Sequence, residues 1–250
     1  MNRDRQSGFS LIELLIGLLV SSIVLAGAFS LWNTHQQEGF RLEKKIELRN
    51  VMTLSSKRIQ RSVTLAGLGL GGAANLAKED AVGSDTLTIF TNPGENSCAL
   101  LSNVTPGGSP IIQVADPSLF ASARYVAISN DTNGEIRLIV GRPGSALEIE
   151  SPFTHAFNTA SSHAYPAVRE RYYTDQVNNT LMRENGGEPT IVAKDVKNFQ
   201  VSFRDKHGAP TESTPEVRTV VFSFTGIFPA KEGALNSMIF SSTAIPRNTL

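Results

Sequence analysis

An apolar run opens at Phe9 and continues to Trp32, and between Phe9 and Gln37 its only formally charged side chain is Glu13. Twenty or so apolar residues suffice to cross the roughly 30 Å hydrocarbon core of a bilayer. A carboxylate inside such a helix costs about 2.5–3.5 kcal/mol at the helix centre on insertion scales, and less near an end. Glu13 therefore calls for a partner. A cut between Gly8 and Phe9 creates one, because the new ammonium lies one helical turn before the acid.

Two plainer readings compete. A secretory signal peptide fits the stretch Ala26-Gly27-Ala28, which is A-x-A-like and suitably placed. The apolar run, however, exceeds the usual 7–15-residue apolar region and contains Glu13. A plain membrane anchor fits the length but leaves Gly8-Phe9 and Glu13 without a role.

Composition narrows the rest. The 250 residues carry no formal net charge, so nothing in the whole-chain balance points to nucleic acid or anionic lipid. Length permits one domain or two small ones. Cys98 is the single cysteine, so no intramolecular disulfide forms and the part beyond the helix must hold by packing. Cys98 itself reads as a tolerated thiol in a polar loop.

From about Phe40 to Ala66 the pattern becomes amphipathic. Leu48, Met52, Ile59 and Val63 share one helical face, and Leu42 and Ile46 add a further pair. Arg41, Lys44, Lys45, Arg49, Lys57, Arg58 and Arg61 take most of the other positions and read as a solvated face. Aromatic residues are not interleaved among them as single-strand binders need. No proline interrupts residues 9–92. The spacing predicts one long helix over 9–66, with 9–32 as membrane or filament core and 33–66 amphipathic. Gly67-Leu68-Gly69-Leu70-Gly71-Gly72 spells G-x-G-x-x-G, but it follows a helix and opens a loop, so it reads as helix termination and a flexible joint rather than a dinucleotide fingerprint.

Beyond it the chain reads as strands. Candidates are 85–90, 111–114, 125–129, 136–140, 147–149, 168–174, 180–183, 198–203, 217–224 and 237–244, with 95–110 and 151–166 as loops. Asn130 to Gly134 and Asp175 to Asn179 read as connections between neighbouring strands. Phe199, Val201 and Phe203 alternate onto one face, as do Val220, Phe222 and Phe224. Short connections predict antiparallel pairing. The expected fold is α+β: a long N-terminal helix packed on a mainly antiparallel sheet, with residues 67–250 as the head.

The stretch Gly8-Phe9-Ser10-Leu11-Ile12-Glu13-Leu14-Leu15, preceded by a polar leader with Arg3 and Arg5, resembles the class III signal of type IV pilins and type II secretion pseudopilins. The resemblance implies that residues 1–8 are a leader removed by a prepilin peptidase, that Phe9 becomes the N-methylated N-terminus, and that Glu13 pairs with a neighbouring subunit's Phe9 ammonium during assembly. It also implies a single-pass inner-membrane state, N-terminus cytoplasmic and head periplasmic, before entry into a pilus or pseudopilus with other pilins. The kink-inducing proline common in major pilins is absent. Leu181-Met182-Arg183, the run Val196 to Phe203, Val217 to Val220, and the tail Ser242-Thr243-Ala244-Ile245-Pro246-Arg247-Asn248 are similar to PilW-type minor pilins, with kinship to the J-type pseudopilin. Pro246 departs from that family's tail. The PilW resemblance implies priming or capping of pilus assembly, with adhesion or motility downstream. The alternatives are a pseudopilin of type II secretion and a membrane-anchored periplasmic binding protein or enzyme.

Motifs for chemistry are weak. His35, His155, His163 and His207 show no H-x-H or H-E-x-x-H spacing, although His155 and His163 share one irregular loop. No G-x-S-x-G elbow or phosphate loop is present. Asp131-Thr132-Asn133-Gly134-Glu135 has a calcium-loop flavour without the full spaced ligand set, so a polar hairpin fits better. Asn103, Asn130 and Asn178 begin N-x-[ST] sequons that read as loop composition. The expectation is a non-enzymatic structural subunit with no cofactor, no metal and no nucleic-acid partner.

Overall fold

The computed structural model describes residues 10–71, 75–80, 83–212, 216–230 and 234–246. It opens with one unbroken α-helix, α1 (Leu11–Thr64). Leu48, Met52, Ile59 and Val63 are buried along it, as their spacing predicts. Leu42 and Ile46 do not extend that stripe: they remain 60% and 59% exposed. They stand on a different face of α1 from Leu48 and Met52, and Leu42 only borders a groove with Phe228 and Pro229.

The helix ends where glycine allows the chain to turn. Gly67 has φ +76, and a Cβ there would lie 2.3 Å from the Asn75 amide nitrogen. Its N–H donates to the Phe90 carbonyl at 2.9 Å. The Asn92 N–H donates to the Leu68 carbonyl at 2.8 Å, and the Asn92 side chain donates to Gly69 at 2.9 Å. Residues 67–69 are thus pinned beside a neighbouring strand.

Among the described residues thirteen strands follow: β1 (Leu76–Glu79), β2 (Thr86–Thr91), β3 (Cys98–Ala99), β4 (Ile111–Gln113), β5 (Tyr125–Ser129), β6 (Gly134–Gly141), β7 (Ala146–Ile149), β8 (His163–Asp175), β9 (Thr180–Asn185), β10 (Thr190–Lys194), β11 (Val196–Arg204), β12 (Thr219–Pro229) and β13 (Leu235–Ala244). Every pairing among them is antiparallel. They form a ten-stranded sheet around β8 and a three-stranded sheet ordered β11-β12-β13. The architecture is α+β, a long helix laid against antiparallel sheet.

Two main cores result. Leu48, Met52, Ile59 and Val63 of α1 pack with Leu87, Ile89, Tyr172, Phe199, Phe222 and Phe224. Burying side chains of this size is worth about 1.5–3 kcal/mol each, which fastens the helix to the head. A second core, remote from α1, gathers Phe120, Val126, Ile128, Leu147, Phe153 and Phe157. The spine of both is β8. Its residues 163–167 pair with β5, and its residues 168–172 pair with β2.

Three sequence expectations are corrected. The stretch 151–166 is not wholly irregular, because β8 begins at His163. Cys98 is not in a polar loop: it is buried in β3 against Ala164. Burial pushes its thiol pKa up. Strands β1 and β10 are additions to the expected set: Leu76-Ala77-Lys78-Glu79 has little β-propensity, and Thr190–Lys194 pairs with β9 through a bulge.

Candidate assembly and processing site

Gly8 and Phe9, the expected cleavage pair, lie outside the described residues. Glu13 lies just inside them. Ser10, in extended conformation (φ −71, ψ 140), is the residue that starts α1. Its backbone N–H donates to Glu13 Oε2 at 3.1 Å. The first N–H groups of any helix lack intrahelical partners, and an acid three residues in is suited to take one. The acid also sits where the helix dipole favours negative charge. Sequence reasoning missed this second use of Glu13, although Ser10-Leu11-Ile12-Glu13 spells the S-x-x-E capping signature.

Downstream of Glu13 the helix presents bare apolar surface. Leu14, Leu15, Leu18, Leu19, Ile23, Leu25, Phe29 and Trp32 are all more than half exposed. Alpha-1 is long and apolar enough to cross a membrane, and its most apolar stretch touches nothing else in the chain. An uncovered surface of this size needs lipid or other helices around it. Gly17 and Gly27 have open space where a Cβ would stand, so each offers a point of close helix approach.

The helix transmits position to the head through polar contacts as well as packing. Ser62 Oγ and Tyr172 OH lie 3.0 Å apart, and the same phenol donates to Glu170 at 2.8 Å. Glu170 in turn pairs with Arg183. Burial pushes the Tyr172 phenol up to about 12. Gln60 donates to Ser242 Oγ at 2.8 Å and to the Thr243 carbonyl at 3.0 Å, tying α1 to β13.

The other sequence candidates are drawn into loop architecture. Asn130 Oδ1 accepts from the Thr132 and Asn133 N–H groups and closes the β5–β6 turn. Glu135 turns away from that loop. It accepts from the Thr154 backbone and hydroxyl, contacts His155 Nδ1 at 2.6 Å and pairs with Arg137. Burial works to raise its pKa, but the hydrogen bonds from Thr154 and His155 outweigh burial and lower it. His155 is thus held by Glu135, while His163 belongs to β8, so the two do not converge. Among the described residues no cluster of three His, Cys, Asp or Glu side chains is placed to hold a metal.

Comparison with known families agrees with the N-terminal geometry. Residues 3–29 match the family described as the prokaryotic N-terminal methylation motif. Together with the long apolar helix, that motif supports a type IV pilin-like protein. No curated protein and no solved structure matches it. The motif implies processing by a prepilin peptidase and assembly with other pilins, and with the apolar helix it supports a membrane-anchored, single-pass pilin-like subunit.

Proposed function

We propose that this pilin-like chain is a minor pilin of the PilW type, a non-enzymatic subunit that primes or caps type IV pilus assembly. The observation that carries the reading is the continuity of α1: its exposed apolar half lies largely within the methylation motif, and the same helix then buries one face against a large head. Prepilin peptidase cuts between Gly8 and Phe9 and Phe9 is N-methylated, leaving residues 9–66 as the helix and 67–250 as the head. The apolar half leaves the bilayer for a helical bundle, where Glu13 neutralises the Phe9 ammonium of a neighbour. A charge left unpaired in that bundle is costly, so the register that pairs them is favoured. Head-to-tail contact of this kind propagates without closing. A large, non-repetitive head suits a low-copy position better than the bulk shaft.

The same N-terminal physics serves a pseudopilin of type II secretion. The similarity of Val196–Phe203 and Val217–Val220 to PilW-type chains favours the pilus. Co-expression with a prepilin peptidase, followed by mass spectrometry of the mature chain, tests the shared part. A chain starting at N-methylated Phe9 is expected; a chain starting at Met1, or cut after Ala28, overturns it. Deletion in the native host separates the machines: loss of pili is expected, whereas intact pili with lost secretion supports the pseudopilin.

A further inference from the structure

The two edges of the three-stranded sheet are treated differently. Strand β11 is covered: the Asp85 N–H donates to the Phe199 carbonyl at 2.6 Å, Asp85 Oδ2 accepts from the Val201 N–H at 2.7 Å, and Thr174 Oγ1 accepts from the Phe199 N–H at 3.3 Å. Strand β13 pairs with β12 along its whole length and, among the described residues, has no strand on its other side. The Ala230 N–H donates to the Ala234 carbonyl at 2.8 Å, which fixes the ladder's alternation. From there, the even-numbered residues of β13 point their backbone groups at β12. Leu235, Ser237, Ile239, Ser241 and Thr243 point theirs outward. Among the described residues, only the Thr243 carbonyl finds a partner there, in Gln60.

Exposed edges are usually blunted by charge, proline, a bulge or brevity. Beta-13 uses none of these. Leu235-Asn236-Ser237-Met238-Ile239-Phe240-Ser241-Ser242-Thr243-Ala244 contains no charged residue and no proline, and its register with β12 has no shift. Leu235 and Ile239 are 68% and 73% exposed. An edge left this open is suited to accept another strand.

Which strand it accepts follows from the rest of the molecule. The edge is continuous with the assembly helix, through Gln60 at one end and, at the other, a groove lined by Arg41, Leu42, Phe228, Pro229 and Asn236. Its occupant is therefore a neighbour in the same assembly. A second copy paired β13 to β13 is related by a two-fold axis perpendicular to the sheet. Because α1 lies against that sheet, the operation points the two apolar helices in opposite directions, which one membrane cannot accommodate. Head-to-tail pairing between copies fares no better. The sheet ends β1, β4 and β10 offer only 4, 3 and 5 residues, and β1 carries Lys78 and Glu79. A charged strand set beside Leu235 and Ile239 would leave its charges unpaired.

We propose that the open edge of β13 binds an extended, uncharged segment of a different pilin-type subunit in the same assembly. The inference rests on the pilin reading. The segment continues the β11-β12-β13 sheet into the neighbouring head.

Site-specific photocrosslinking in native-host membranes tests it, using the full chain. A photoreactive residue at Ile239 reports the edge, and one at Leu18 reports helix assembly independently. Crosslinks from Ile239 to a non-charged segment of another chain bearing the methylation motif are expected. They should fall at least tenfold when Ser241→Pro removes one outward N–H, while Leu18 crosslinks persist. Ile239 crosslinks confined to lipid, to this chain or to a second copy overturn the inference and leave the pilin reading standing, provided Leu18 still reaches other pilin-type subunits. Silence at both positions overturns both.

Discussion

Ser62 on α1 and Tyr172 on β8 meet hydroxyl to hydroxyl at 3.0 Å in a buried setting. The phenol also donates to Glu170, so one oxygen links helix, strand and a charged pair. Tyr172→Phe should destabilise the head by about 1–3 kcal/mol, since it strips partners from Ser62 and Glu170. The same group governs alkaline behaviour. Its pKa of about 12 in the folded chain lies above the ordinary value near 10. The phenol's contribution is therefore complete below about pH 10 and is lost as pH rises from 10 through 12. Denaturation series at several pH values should show this loss in the parent chain and not in Tyr172→Phe.

At Gly226 the sheet comes close against the helix. A Cβ there would lie 2.6 Å from Met52 Sδ and 2.8 Å from Leu48 Cδ2. Gly226→Val should cost about 1–3 kcal/mol through overpacking. Met52→Ala alone is destabilising as well, yet combined with Gly226→Val it should cost less than the two single effects summed. An additive double-mutant cycle would show that the clash does not exist.

Glu13 serves its own helix and, in the proposed assembly, a neighbour. Glu13→Gln keeps an acceptor for the Ser10 N–H but removes the charge, whereas Glu13→Val removes both. Both variants should be cleaved almost normally, as judged by the mature mass, and both should enter filaments poorly. Normal incorporation of the Gln variant would mean that capping, not charge neutralisation, is what Glu13 supplies.

At the cleavage pair, Gly8→Ala should slow processing mildly or moderately, and Gly8→Leu should block it. The ratio of precursor to mature chain after timed co-expression with the peptidase measures both.

Cys98 offers a folding probe. Burial in β3 and a raised thiol pKa both withhold the reactive thiolate. Labelling of the native chain near neutral pH should be at least about tenfold slower than in denaturant. Equal rates would place β3 outside the folded core.

The long helix, its buried face and the strands other than β1, β3 and β10 were legible because they follow simple periods. Leu48, Met52, Ile59 and Val63 recur on a helical face, and Phe199-x-Val201-x-Phe203 alternates as a half-buried strand. Less legible was everything set by tertiary contact. Leu42 and Ile46 keep a helical i, i+4 spacing but sit off the face that the head covers, so they stay exposed. Cys98 is buried because β8 runs past it, which no local signal conveys. The division into two cores is likewise written in pairings between distant segments. At the N-terminus the methylation motif was legible as residues, whereas the capping role of Glu13 required the geometry of Ser10.

The path of the chain into and out of the second core has a consequence for how such heads diversify. The chain leaves the helix-side sheet at the end of β2 and re-enters it midway along β8, where Thr91 and Val168 stand side by side as register partners. Everything between them begins and ends at nearly one point. A segment closed in that way can lengthen, shorten or be exchanged while the strands that grip α1 keep their places, because the cost of closing a loop grows only slowly with its length. The distal half of the head is free to change with whatever it meets, and the half that holds the helix is not.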